Sequence, residues 1–387
     1  MSLFGSGNSI RVKPMMVIAA IFILGVNPIA DGKDLTDSLF DQAVINLQNA
    51  KYDTALAQLQ QIVELRPNYA EAYLNIGVAY FNLKEWQESI NAYQKSISLD
   101  STLFKAYMGL SVVYGRVGRK KDALECSKKA VILAPQSSEA QINLGSAFIS
   151  AGQFEDATGP LREAISIDST CAEAYYNLGL AYSSQKQWQN SVAPLERATL
   201  INPAYDKAYF NLGLAYKHLN RNQDAINALE TAIDINPKYS QAIFNLGTIY
   251  FDLGRYNDAI ENYQLALTQD PTYTEARYNL AVAYSDLEDW QRAADSYKKV
   301  IADSPFYGDA QKGLGTAYIK LGQWQNAVET FKQAESARST DADIKYGLGF
   351  SYLKIGKKEL ALKEYQQLKK INPDLAEKLI NLINHSN

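Results

Sequence analysis

The sequence predicts an all-α solenoid of about ten helix–turn–helix units, each 34 residues long, closed by a short C-terminal helix. Three observations carry this. A column of small residues recurs every 34 positions: Gly77, Ser111, Gly145, Gly179, Gly213, Gly247, Ala281, Gly315 and Gly349. Three residues later an aromatic column keeps the same step, from Tyr80 and Tyr114 through Phe148 and Tyr182 to Tyr352. A second small column, Ser89 to Ala361, stands twelve residues beyond the first, and no insertion breaks the register. A fixed period of this length marks a stack of identical supersecondary units.

Residues 1–30 precede the array. Arg11 and Lys13, with no acid, lead into the apolar run 15–26, and Asp31 and Asp34 follow it. Twelve apolar residues fall short of the ~20 that span a bilayer, and they match the apolar core of a secretory signal. This order of charges directs the rest of the chain across the membrane. Residues 1–30 are therefore read as a signal peptide cut near Ala30 or as a retained N-terminal membrane anchor; Pro28 fits the small-x-small cleavage rule poorly. The expected location is exported, periplasmic or secreted, with anchoring through the N-terminal segment as the alternative. Residues 31–35 form a short linker.

The array covers residues 36–373, with units starting at 36, 70, 104, 138, 172, 206, 240, 274, 308 and 342. Within a unit, positions 4, 7, 8 and 11 are apolar or small, the spacing of one helical face, and positions 20, 24 and 27 repeat it for a second helix. Proline at position 32 (Pro67, Pro135, Pro203, Pro237, Pro271, Pro305, Pro373) ends the second helix. The first unit is degenerate, with Ala43, Asn46, Ala55 and Pro67 in the signature columns. Residues 374–387 are a capping helix and tail, with Leu375, Leu379 and Leu382 on one face. One helix pair cannot bury its apolar face alone, so neighbours supply the missing partner.

On these columns the chain resembles the tetratricopeptide repeat family over roughly residues 36–375. The resemblance implies a right-handed superhelix whose first helices line a concave groove, and a binding scaffold whose ligand the fold does not specify.

Position 6 is the first candidate site. It holds Asn75, Asn143, Asn177, Asn211, Asn245 and Asn279, interrupted by Gly109 and ended by Gly313. By helical geometry it lies opposite positions 4, 7, 8 and 11, so it is expected outside the core and toward the groove. Asparagine has poor helix propensity, so its recurrence mid-helix is not a local preference. The column is similar to the asparagine ladder of O-linked N-acetylglucosamine transferases, which grips peptide backbone amides, although no catalytic domain follows here. The competing reading has each Asn bridging neighbouring first helices. Positions 5 and 9 add Tyr176, Phe210, Phe244 and Tyr278, and Leu180, Leu214 and Val282. These predict an apolar, aromatic-lined groove, or contacts between successive first helices.

Hydrogen bonds of ~0.5–1.5 kcal/mol each from six amides total single digits before ordering costs, against an association cost of about 4–15 kcal/mol, so the amides alone would bind poorly. Apolar anchors at ~25 cal/mol per Å² supply the difference, so the expected ligand is an extended or helical peptide with apolar side chains. A clamp for acidic C-termini needs clustered cations, and Lys105, Lys207 and Lys312 are scattered. Trp86, Trp188, Trp290 and Trp324 share position 17, which reads as packing rather than an aromatic cage. The basic stretch 115–121 with Lys128 and Lys129 reads as a solvated surface or a patch for an anionic partner.

A net charge of −4 argues against general nucleic-acid binding. Two histidines and two cysteines are too few for most metal sites, and Cys126 and Cys171 are either idle thiols or a pair. No catalytic constellation emerges and no cofactor is expected. The expected function is a non-catalytic scaffold that binds a peptide or protein segment in the concave groove and acts, exported, in the assembly of an envelope, secretion or polysaccharide machine. The alternative is a structural protein that self-associates through the array ends. Membrane contact is expected only through residues 1–30.

Overall fold

The computed structural model describes residues 35–337 and 340–385, and among them the only regular structure is helical. The expected signal or anchor in residues 1–30 lies outside the described residues. The chain divides into two bodies, at Pro203 and Ala204. The first holds α1 (Leu35–Gln48), α2 (Tyr52–Leu65), α3 (Ala70–Asn82), α4 (Trp86–Leu99), α5 (Phe104–Arg116), α6 (Lys120–Leu133), α7 (Ser138–Ala151), α8 (Phe154–Ile167), α9 (Ala172–Ser184) and α10 (Trp188–Ile201). The second holds α11 (Asp206–His218), α12 (Asn222–Ile235), α13 (Ser240–Asp252), α14 (Tyr256–Gln269), α15 (Thr274–Asp286), α16 (Trp290–Asp303), α17 (Gly308–Lys320), α18 (Trp324–Ala337), α19 (Ala342–Lys354), α20 (Lys358–Ile371) and α21 (Pro373–Asn384). Each 34-residue unit contributes one antiparallel pair, and within each body the pairs stack in sequence order.

The two small columns are where the helices of a pair meet. A Cβ built on Gly145 would lie 2.5 Å from Leu161 Cγ, so only a missing side chain lets α7 and α8 approach this closely. In the second unit the position-20 serine serves the same contact: Ser89 Oγ donates to the Gly77 carbonyl at 2.8 Å. Ser96 Oγ likewise donates to the Ala70 carbonyl at 2.8 Å. The aromatic column links successive pairs. Its tyrosine hydroxyls reach the second helix of the preceding unit, as in Gln94 to Tyr114 (3.1 Å) and Gln264 to Tyr284 (2.8 Å).

Helix ends follow turn chemistry as well as proline. Where position 32 is Ser101 or Ser169, the preceding Asp100 or Asp168 accepts bonds from both the backbone N–H and the hydroxyl of Thr102 or Thr170. These bonds hold both carboxyls below the usual aspartate range. At the C-terminus, Pro373 opens α21 and Asn372 Oδ1 caps it by accepting from Leu375 N–H at 3.1 Å. Ala376, Leu379 and Ile383 then close the last pair's core.

The turn inside each pair needs a left-handed residue at position 15. Five are glycines, Gly118, Gly152, Gly254, Gly322 and Gly356; Ala50, Lys84, Lys186, Asn220 and Glu288 adopt the same conformation with side chains, at φ from 56° to 65°. A side chain there costs about 1 kcal/mol. Glu288→Gly is therefore expected to raise the urea midpoint of the protein, by up to about 1 kcal/mol of local stability. An unchanged or lowered midpoint contradicts the strain argument.

Candidate binding groove

The first helices carry every residue expected in the groove, and the two bodies present them differently. In the first body Asn75 and Asn177 are fully buried, and Asn143, Tyr176 and Leu180 are also buried. The expectation that position 6 lies outside the core does not hold there. The reason is the neighbouring unit: position 6 sits where one first helix meets the next, a contact that single-helix geometry omits. Asn177 Nδ2 on α9 donates to Ser146 Oγ on α7 at 3.1 Å, a bridge between successive first helices. The rest of this polar capacity is unused. Neither side-chain polar atom of Asn75 has a hydrogen-bond partner, nor does Oδ1 of Asn143 or Asn177. Each such group costs about 1–3 kcal/mol when dry.

In the second body Asn211, Asn245 and Asn279 are half-buried, as are Phe210, Leu214, Phe244, Tyr278 and Val282. First helices α11 to α17 stand less tightly against one another than α3 to α9 do. Asn211 and Asn245 each turn Nδ2 back to a carbonyl one turn earlier, those of Lys207 and Gln241, both at 2.8 Å. The aromatic residues at position 5 pack, with rings tilted, against the tyrosine that precedes the next unit. Phe210 lies 4.9 Å from Tyr239, Phe244 4.9 Å from Tyr273, and Tyr278 5.0 Å from Tyr307, between ring centroids. Part of the predicted aromatic groove is thus a spine holding unit to unit.

The interruptions of the asparagine column have a packing cause. A Cβ on Gly109 would lie 2.4 Å from Tyr93 Cζ, on Gly313 2.5 Å from Tyr297 Cζ, and on Gly347 2.5 Å from Phe331 Cζ. In each case the obstructing ring is at position 24 of the preceding unit. Where that position is Leu59, Ser127, Leu161 or Leu229, the following position 6 is Asn75, Asn143, Asn177 or Asn245. Tyr263 before Asn279 is the exception, and there the buried Tyr263 hydroxyl interacts with the Asn279 side chain.

Two consecutive glycines at position 6, Gly313 and Gly347, coincide with a concavity the sequence reading did not single out. It has a volume of about 380 Å³ and is lined by Lys312, Thr316, Ile319, Phe331, Asp343, Tyr346, Gly347 and Phe350. Buried Phe331 contributes ring surface where an asparagine column would contribute amides. Tyr346 and Phe350 stack at 6.4 Å, and Trp324 meets Phe350 edge-on at 5.9 Å. Lys312 Nζ is held 3.4 Å from Asp341 and 3.5 Å from Asp343. The signal was present in the columns as glycine at position 6 following an aromatic at position 24. None of the residues singled out for the groove lines this pocket, but Lys312 and Tyr346 belong to its position-5 column and Thr316 and Phe350 to its position-9 column.

Elsewhere the side chains are structural. Trp86 packs edge-on against Phe81 at 5.4 Å. Cys126 and Cys171 are free thiols, and burial pushes the Cys126 thiol up to about 11. In the basic stretch, Arg119 and Lys128 pair with Asp122 and Glu125 on the exposed face of α6. Among the described residues no cluster of metal-ligating side chains occurs, and no helix is long and apolar enough to cross a membrane.

The pairing of positions 24 and 6 is testable by a double-mutant cycle. Gly109→Asn alone is expected to cost about 1–3 kcal/mol through collision with Tyr93. Combined with Tyr93→Leu, the substitution should cost less than the sum of the two single changes, read from urea melts. Strict additivity would show that the two sites do not share space.

Comparison with known proteins agrees with the repeat. Profiles described as TPR repeat match residues 47–84, 145–186 and 247–287, and profiles described as tetratricopeptide repeat match 70–103, 172–205, 206–239, 228–261, 278–342 and 312–376. No curated protein matches the chain. Among solved structures, YrrB, described as a TPR protein with an unusual peptide-binding site, is 23% identical with a TM-score of 0.40, covering 48% of this chain and 95% of its own. MamA is 30% identical with a TM-score of 0.39, covering 43% and 97%. PilF of Pseudomonas aeruginosa is 20% identical with a TM-score of 0.49, covering 55% and 96%. With helix pairs in register and repeat profiles matching across most of its length, the chain belongs to the tetratricopeptide repeat family and is built as a protein-interaction scaffold.

Proposed function

We propose that this scaffold captures a protein segment on the first-helix face of its second body, without catalysis, and that the pocket beside Gly347 receives an apolar side chain of that segment. The observation that carries the reading is the pocket itself: ring faces of Phe331, Tyr346 and Phe350 around open space, with a lysine and a carboxylate at its edge. Burial of one large aliphatic side chain contributes about 1.5–3 kcal/mol. That is below the cost of association, so several anchors act together. Half-buried Asn211, Asn245 and Asn279, with Leu214 and Val282 beside them, lie on the same body, and an extended backbone would take their amides in exchange for the bonds they make within the protein. Asn75, Asn143 and Asn177 take part only where the first helices of their body part, since all three are buried.

The charge order of residues 1–30 supports export, with the array acting in a periplasmic or extracellular setting or held at a membrane by its N-terminus. Assembly of an envelope, secretion or polysaccharide machine is the role in keeping with that setting. N-terminal sequencing of the mature protein distinguishes a removed signal from a retained anchor.

The groove reading is tested with a displayed library of random peptides selected on the full chain. Enriched peptides are expected to lose at least tenfold in affinity for Thr316→Arg, which fills the pocket from an exposed position and leaves the helix contacts intact. Tyr346→Ala is expected to weaken them too. Failure to enrich any peptide, or binding indifferent to both variants, would sink the proposal.

A further inference from the structure

The helix that lines the pocket also carries a charge into the interior. On α19, Lys345 immediately precedes the pocket residue Tyr346, yet it is only 3% exposed. Its ammonium contacts Glu335 on α18 and lies 3.5 Å from Glu364 Oε2 on α20. Glu364 is 6% exposed, and Lys345 stands as the counter-charge to that oxygen. Three helices from two successive units therefore converge on one cation and two carboxylates. With both carboxylates ionised, this interior cluster carries an excess negative charge, and desolvation disfavours it.

The surroundings offer little else to balance that charge. α21 packs on α19 and α20 and presents Leu379 here, 2.6 Å from where a Cβ on Gly349 would stand, with Glu364 Cβ at 3.2 Å from the same point. The charged residues of α21, Asp374, Glu377 and Lys378, are exposed. Lys363, exposed beside Glu364 on α20, exerts a weak opposing pull.

We infer that the Glu335–Lys345–Glu364 cluster is a proton-responsive lock, which tightens the last helix pair and its cap on acidification and loosens them as the pH rises. Burial raises the Glu364 carboxyl above the usual glutamate range; Lys345 opposes this and Glu335 reinforces it. A carboxyl with a raised folded value binds its proton more tightly folded than unfolded. Its contribution is fully present below the unfolded value of 4.5 and is lost as the pH climbs through the folded value. Asp100, Asp168, Asp289 and Asp295 have the opposite sign, being held low by hydrogen bonds, so their contributions disappear in acid; Glu173 on α9 and Asp286 on α15 are raised by burial and share the sign of Glu364. The lock is local because its three groups meet on α18, α19 and α20, and it goes beyond the groove reading without depending on any ligand.

Hydrogen exchange of the full chain, corrected for intrinsic rates, reads it directly. Between about pH 8 and pH 5, amides of α19–α21 are expected to become several-fold more protected relative to those of α12–α14. Glu364→Gln should keep α19–α21 protected at both pH values. Glu335→Gln leaves Glu364 alone with Lys345, and should move the transition to lower pH without abolishing it. Protection of α19–α21 that falls on acidification, or a wild-type response that persists in both variants, would overturn the inference.

Discussion

Everything in this chain depends on how closely two helices of a pair can approach. A glycine or other small residue at position 8 receives the side chain at position 24, as Gly145 receives Leu161 and Gly315 receives Phe331. That one contact sets the distance between the helices, and the distance sets how far the position-24 side chain projects into the next unit. The 34-residue period follows, because each unit must present its neighbour with the same surface. Insertions are absent from the array since any added residue would rotate position 24 out of its glycine seat.

The same contact decides what stands at position 6. A leucine or serine at position 24 leaves space beyond the small residue for an asparagine on the following first helix. A tyrosine or phenylalanine fills that space, and the following residue is glycine at Gly109, Gly313 and Gly347. The column that looks like a ladder for a ligand is therefore partly a record of volume shared between units. Where aromatic rings replace leucines in consecutive units near the C-terminus, amides give way to ring faces, and the pocket beside Phe331 is the result. Changing the size of one interior side chain changes the chemistry of the surface next to it.

How much of this was legible in the sequence follows from the range of the interactions. Helix pairs and the closing helix were legible, since i, i+3, i+4 spacing and a 34-residue step are local and repeated along the array. The structural role of Trp86 was legible for the same reason. The burial of Asn75 and Tyr176 was not, because a helical wheel treats one helix against one core and ignores the neighbouring first helix. Nor was the tilted ring contact of Phe210 with Tyr239, which joins residues 29 apart through the geometry of the inter-unit turn. The pocket was encoded in two columns, but only the pairing of position 24 with position 6 one unit later exposes it.

Unsatisfied polar groups mark where the repeat is under tension. Asn75, fully buried with neither amide atom bonded, sits between closely spaced first helices; Asn245, half-buried, satisfies its Nδ2 on its own helix. Dry burial of an amide favours any motion that lets water or a backbone reach it, so the tighter spacing of the first body holds a free-energy gradient toward opening. The interior cluster at Lys345 places a comparable tension on the last pair, set by protonation instead of spacing. A solenoid whose pairs touch only their neighbours confines such tensions to where they arise. One pair can loosen while the rest of its body keeps its register, and a repeat scaffold can thereby be stiff along most of its length and adjustable at one site.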